Sequence, residues 1–272
     1  QTRSAVNASA DLTINYQVVE FDNTVAVQHL SIQRDLGNDR TEAITAVDLS
    51  RSWLLSGGFS TGASTAAGDD EVRLSFDSST IVRLDPTVGA SGQTISVQVV
   101  EFPATAINSV NYYSGDITTD TGVAITSVDR DKTLIFGTSK IANVTYGFND
   151  LFTAHLSSAT NVALSRYDQS GPQVSYGIFV VEFNDLSVTH GLVDSSSLTE
   201  TEVLGSAPTV GSVLINSVSN TPGLMSANTT DDLSTVAAWE SSLSGSTWTF
   251  TRDANSVNSL LAYSAFDWAG GA

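Results

Sequence analysis

The chain has 272 residues, 41% hydrophobic and 15% charged, with 11 basic against 29 acidic residues for a formal charge of −18, and no cysteine. This excludes a disulfide framework and a thiolate metal centre, and no stretch gathers Lys and Arg into the basic stripe that nucleic acid binding requires. No run of apolar residues is long enough for a membrane-spanning helix, so neither nucleic acid nor membrane is expected as a partner.

The first element, "TRSAVNASADLTINYQVVEF" at 2–21, ends in a pentapeptide that returns letter for letter at 98–102, and as "FVVEF" at 179–183, at the same interval of 81 residues. Self-similarity at a fixed period marks repeated folding units. Residues 1–21 read as the closing hairpin of an incomplete or exchanged unit, followed by units at 22–102, 103–183 and 184–272.

Within the first unit, "AITAVDLSRSWLL" at 43–55 recurs as "AITSVDRDKTLIF" at 124–136, placing Asp48 on Asp129. "SSTIVRLD" at 78–85 falls on "ATNVALSR" at 159–166 at the same interval, and the turn-forming "PTVGASGQ" leads into the closing strand "TISVQVVEF". That strand has apolar groups on both faces at the two-residue period, which predicts a central strand. The third unit is looser: "VLINSVSNTPGLM" at 213–225 stands for 43–55, "LSTVAAWESSL" at 233–243 takes a strand position by register, and "AFDW" at 265–268 closes the unit. Short strands separated by Gly, Pro and Ser loops predict an all-β fold of tandem antiparallel β-sandwich domains of about 81 residues, laid end to end through short connections.

Glu20, Glu101, Glu182 and Asp267 each precede a closing aromatic, and Arg83, Arg166 and Arg252 precede the closing strands. These acids and arginines are candidate inter-unit or interface contacts, against the plainer reading of an acid near a strand end that pairs with a basic or backbone group. A site copied along one chain points away from catalysis. "GFSTG" at 58–62 satisfies the nucleophile-elbow pattern with Ser60, but the small-residue loop after it is not the helix that the elbow needs. His29, His155 and His190 lack metal-ligand spacing, and His29 and His190 occupy equivalent places after a pentapeptide strand. "GDDEV" at 68–72, "DRDK" at 129–132 and "TTDD" at 229–232 read as solvated loops rather than calcium sites. No catalytic, cofactor or metal residue is expected. Of the adjacent Tyr112 and Tyr113, strand geometry turns one ring outward, and the sequons at Asn7, Asn143 and Asn228 carry no strong signal.

The order carried by "AITAVD", "EVRLSF", "IVRLD" and "VQVVEF" resembles tandem β-repeat structural proteins of tailed bacteriophages and of bacterial surfaces. More distantly, the closing strand with "VAVQHL" or "SVTHGL" after it is similar to the edges of H-type lectin domains, six-stranded sandwiches that trimerise and bind sugars. That family's sugar-contacting residues do not map onto this chain. The resemblance implies a non-enzymatic structural protein of a virion (tail, fibre or capsid-decorating component) or similar extracellular assembly. Its partners would be further copies of itself or other virion proteins. The alternative is a carbohydrate-binding adhesin or host-attachment module, with a host surface glycan as partner.

Overall fold

The computed structural model describes residues 24–34, 39–60, 71–86, 93–141, 150–167, 169, 171–205, 207–208, 211–215, 217–218, 238–253 and 257–268. The structure is all-β. The first interval carries β1 (Ala26–Arg34), β2 (Arg40–Ala43), β3 (Ser52–Ser60), β4 (Val72–Ser78), β5 (Ile81–Pro86) and β6 (Gln93–Glu101). The second carries β7 (Ile107–Ile117), β8 (Thr121–Ala124), β9 (Thr133–Ile141), β10 (Phe152–Ser158), β11 (Asn161–Ser165) and β12 (Val174–Phe183). In the third lie β13 (Leu186–Ser195), β14 (Thr199–Val203), β15 (Gly211–Ile215), β16 (Ser217–Val218), β17 (Glu240–Ser244), β18 (Thr247–Thr251) and β19 (Ser259–Trp268).

One strand order recurs. The closing strand lies between the first and third strands of its interval, as β1-β6-β3, β7-β12-β9 and β13-β19-β15, and the second set runs β2-β5-β4, β8-β11-β10 and β14-β18-β17. In the middle interval β16 joins the two sets, pairing in parallel with β9 and antiparallel with β10, so that a segment of the third repeat completes a seven-stranded sheet. Residues 240–244 form a strand, as register predicts.

The centrality of β6, β12 and β19 explains their two apolar faces. In β12, Tyr176, Ile178 and Val180 point into the core between that repeat's own sheets, with Leu156, Val162 and Leu164 opposite. Phe179, Val181 and Phe183, on the other face, join a second cluster with Trp53, Val100 and Phe102 of the first repeat and Leu186 and Val188 of the third. A strand whose faces serve two cores carries the near-continuous apolar pattern of a fully buried strand.

Three expectations need correction. The repeats are not laid end to end, because Phe102 of the first touches Trp268 of the third. In the third repeat, "VLI" at 213–215 is the strand beside β19, with Val213 opposite Ala265 as Leu54 is opposite Val99, so it stands for 54–56 and not for 43–45. The alignment of 78–85 with 159–166 is one residue out. Val82 faces Phe76 and Val162 faces Leu156 across equivalent two-residue turns, an interval of 80 residues. A slip of one residue exchanges the faces of a strand, and both valines are fully buried only in the corrected register.

Candidate interface sites

Glu101, Glu182 and Asp267 lie on the own-core face of their closing strands, opposite the aromatic that follows, and this fixes what they meet. Asp48 caps the 3-10 turn at 49–51 by accepting from the Ser50 N–H, and Asp129 caps the turn at 130–132 by accepting from the Asp131 N–H. Hydrogen bonds from the Ser50 hydroxyl and N–H hold the Asp48 carboxyl below its usual range. Glu101 accepts the Asp48 N–H at 3.3 Å and pairs with Arg51 at 2.5 Å, while Glu182 accepts the Asp129 N–H at 2.9 Å and the Asn108 amide at 2.7 Å. The described partners of both glutamates therefore belong to their own repeats. Asp267 sits between Ser187 and Gly211 in register, and Glu20 lies outside the described residues.

The three arginines divide. Arg83 lies on the outer face of β5 and pairs with Asp77 and Asp39. Arg166 and Arg252 stand at the other end of the equivalent strands, each two residues beyond the buried Leu164 or Phe250. Arg166 donates to the carbonyls of Thr118, Gly171 and Pro172 and lies 4.8 Å over the Phe152 ring. Arg252 donates to those of Ser195, Ser197 and Val257 and lies 5.0 Å over Trp239. Each guanidinium thus ties the link between the first two strands of its repeat to the segment before the closing strand, a task suited to a planar group with several donors.

Contact between repeats is made by the aromatics. Phe102, Phe183 and Trp268, at equivalent closing positions, stand 5.7, 5.8 and 5.3 Å apart as ring centroids, so all three repeats meet at one centre. Trp53 stacks on Phe102 at 5.1 Å and on Phe136 at 5.5 Å, which widens the cluster. Such offset and edge-on pairs lie within the favoured range of aromatic contacts.

Polar contacts flank this centre at two seams. Between the first and second repeats, Asp85 is buried with Arg73 at 2.5 Å and Lys140 at 2.6 Å, and the Leu74 N–H donates to Thr138 at 2.9 Å. Tyr112 donates to the Leu74 carbonyl at 3.2 Å and packs on Phe179, so its ring is used at the seam; Tyr113 bonds Thr126. Between the second and third, His190 bridges the Arg130 carbonyl and the Ser264 hydroxyl, each at 2.9 Å, and Tyr167 donates to Asp194. His29, Tyr112 and His190 lie opposite Gln98, Phe179 and Ser264, the same position of each first strand. The seam residues Arg73, Asp85, Thr138 and Lys140 are not marked by the repeat. An acid inside the strand "IVRLDP" is their one legible sign.

Ser60 ends β3 opposite Thr94, and the residues that would follow it in an elbow fall outside the described set, as do the three sequons, 68–70 and 229–232. Among the described residues no group of three or more His, Asp or Glu side chains is placed to hold a metal ion, and no helix is long and apolar enough to cross a membrane. Neither a family model nor a curated protein matches the chain, so its functional reading starts from the interfaces themselves.

Proposed function

We propose that the protein is a non-enzymatic structural component of a virion or similar extracellular assembly, acting through rigid packing of its sandwich-like repeats against each other and against further copies or other shell proteins. The observation that carries this reading is the meeting of Phe102, Phe183 and Trp268. Three homologous blocks with a common aromatic centre and only residues 102–106 or 184–185 between closing and opening strands have little freedom to hinge. A stiff block presenting three related outer faces suits repeated side-by-side association. The acidic surface keeps such a block soluble before it assembles, since like charges repel until salt or a partner screens them.

Native mass spectrometry and light scattering across a wide concentration range test the proposal. Concentration-dependent association, strengthened by salt, supports it; a lone monomer throughout, together with a reproducible hit on a glycan array, overturns it.

A further inference from the structure

The seam between the second and third repeats differs from the seam before it at one equivalent strand position. Where the first strand of the second repeat offers Tyr112 to the preceding repeat, the third offers His190. The partner of His190 Nε2 is the Arg130 carbonyl, which can only accept, so Nε2–H donates to it and Nδ1 accepts from the Ser264 hydroxyl. Both ring nitrogens are satisfied by the neutral form. His155, on β10, is close enough to act on His190 electrostatically, and its Nδ1 is buried without a hydrogen-bond partner among the described residues. β10 packs against both β13 and β19, so this second imidazole belongs to the same seam.

We propose that His155 and His190 form a proton-sensitive latch that holds the third repeat on the second near neutral pH and loosens that seam on acidification. The charged groups facing the pair are Arg130 and Asp131 from the turn at 130–132, with the imidazoles themselves on β10 and β13, while β19 contributes the neutral Ser264. Arg130 is held here by its own bond to the Leu156 carbonyl at 2.8 Å, which must break before it can swing away from an incoming charge. Protonating His155 places a buried N–H without an acceptor among the described residues beside a guanidinium, and protonating His190 adds a like charge nearby, opposed by its bond to the Arg130 carbonyl and by Asp131 but outweighed by burial. Burial, followed by Arg130, holds His155 below its usual range, and burial leads the same shift in His190.

The sign follows. A histidine whose folded pKa is depressed leaves stability intact above its unfolded value near 6.5 and forfeits it as pH falls below that value, because the unfolded or opened state takes the proton first. Tyr112 at the other seam carries no charge in this range; burial raises its pKa further.

Amide hydrogen exchange of the intact chain, corrected for the intrinsic pH dependence, tests the latch between pH 7.5 and 5.5. Protection in β13 and the 130–132 turn should be lost on acidification while β7 and β4 keep theirs. His155→Gln with His190→Gln should abolish the difference between the two pH values. The proposal is overturned if protection at the two seams changes alike, if the second seam is insensitive to pH, or if the double variant folds and still loses protection. Should the variant fail to fold, a histidine titration of the wild type by NMR decides, since values for His155 and His190 at or above the ordinary one would also overturn it.

Discussion

The Phe102 ring stacks on the Trp268 indole at 5.8 Å with 24° between their planes, joining the closing strands of the first and third repeats. Phe183 meets both edge-on. Since Phe102 is buried and also stacks on Trp53, Phe102→Ala should cost about 3–5 kcal/mol of unfolding free energy. The loss should be shared: denaturation followed by hydrogen exchange should show β19 and β12 weakened along with β6. A loss confined to the first repeat would mean that the common centre contributes nothing to holding the third.

Asp85 tests the first seam. Its carboxylate lies between Arg73 and Lys140 with 8% of the side chain exposed, whereas Asp39, 2.8 Å from Arg83, is 51% exposed. Removing one member of a buried ion pair strands its partners, while an exposed pair is screened. The cations at Asp85 are themselves about one-quarter exposed, so Asp85→Asn should cost about 2–3 kcal/mol, and Asp39→Asn less than about 0.5 kcal/mol. Urea denaturation of the two variants side by side measures the contrast.

How much of this was legible is clearest at the closing strands. The exact pentapeptide and its period revealed three similar strands, and their two apolar faces required them to be central, because pairing and face alternation are local properties of the chain. The destination of the outer face was not local. Phe102 and Phe183 read as core aromatics, but which core they enter depends on how whole repeats meet. The adjacent acid carries two sequence readings, an inter-repeat contact or a pairing with a nearby basic or backbone group, and the alternation sends Glu101 and Glu182 to the second, at the turns of their own repeats. The arginines show a second limit. An interval that is 81 residues at Asp48 and Asp129 is 80 at Val82 and Val162, and one residue decides whether a side chain is inside or outside. Arg83 and Arg166 therefore share a letter and not a position. The Asp85 site had no counterpart to reveal it, because the equivalent cross-strand pair is Thr153 with Ser165.

That distinction predicts different responses to one substitution. Arg166→Lys and Arg252→Lys each replace a planar group reaching three carbonyls with a single ammonium that cannot span them. Both should cost about 1–3 kcal/mol through buried acceptors left unmade. Arg83→Lys, whose carboxylate partners are partly solvated, should change stability by less than about 0.5 kcal/mol. Thermal melts of the three variants would separate them; equal effects would mean that the two buried guanidinia are not staples.

Gly191 lies directly opposite Tyr263 in the β13–β19 register, with the phenol ring lying over its backbone. A Cβ at residue 191 would stand 2.1 Å from Cζ of that ring, so the ring must leave its place. Tyr263 is also tied at its hydroxyl, which donates to Glu202 at 2.6 Å, and burial with that nearby carboxylate drives its pKa far upward. Displacing the ring therefore breaks a charge-assisted hydrogen bond as well as its packing on Phe250. Gly191→Ala should cost about 1–3 kcal/mol as an overpacking change, and Tyr263→Phe should cost about 1–2 kcal/mol because only the bond is lost. The two effects should not add, since Phe at 263 can no longer lose the hydroxyl contact that Ala at 191 disrupts. A double-mutant cycle by chemical denaturation measures the coupling; simple additivity would show that the glycine is not there to seat the tyrosine.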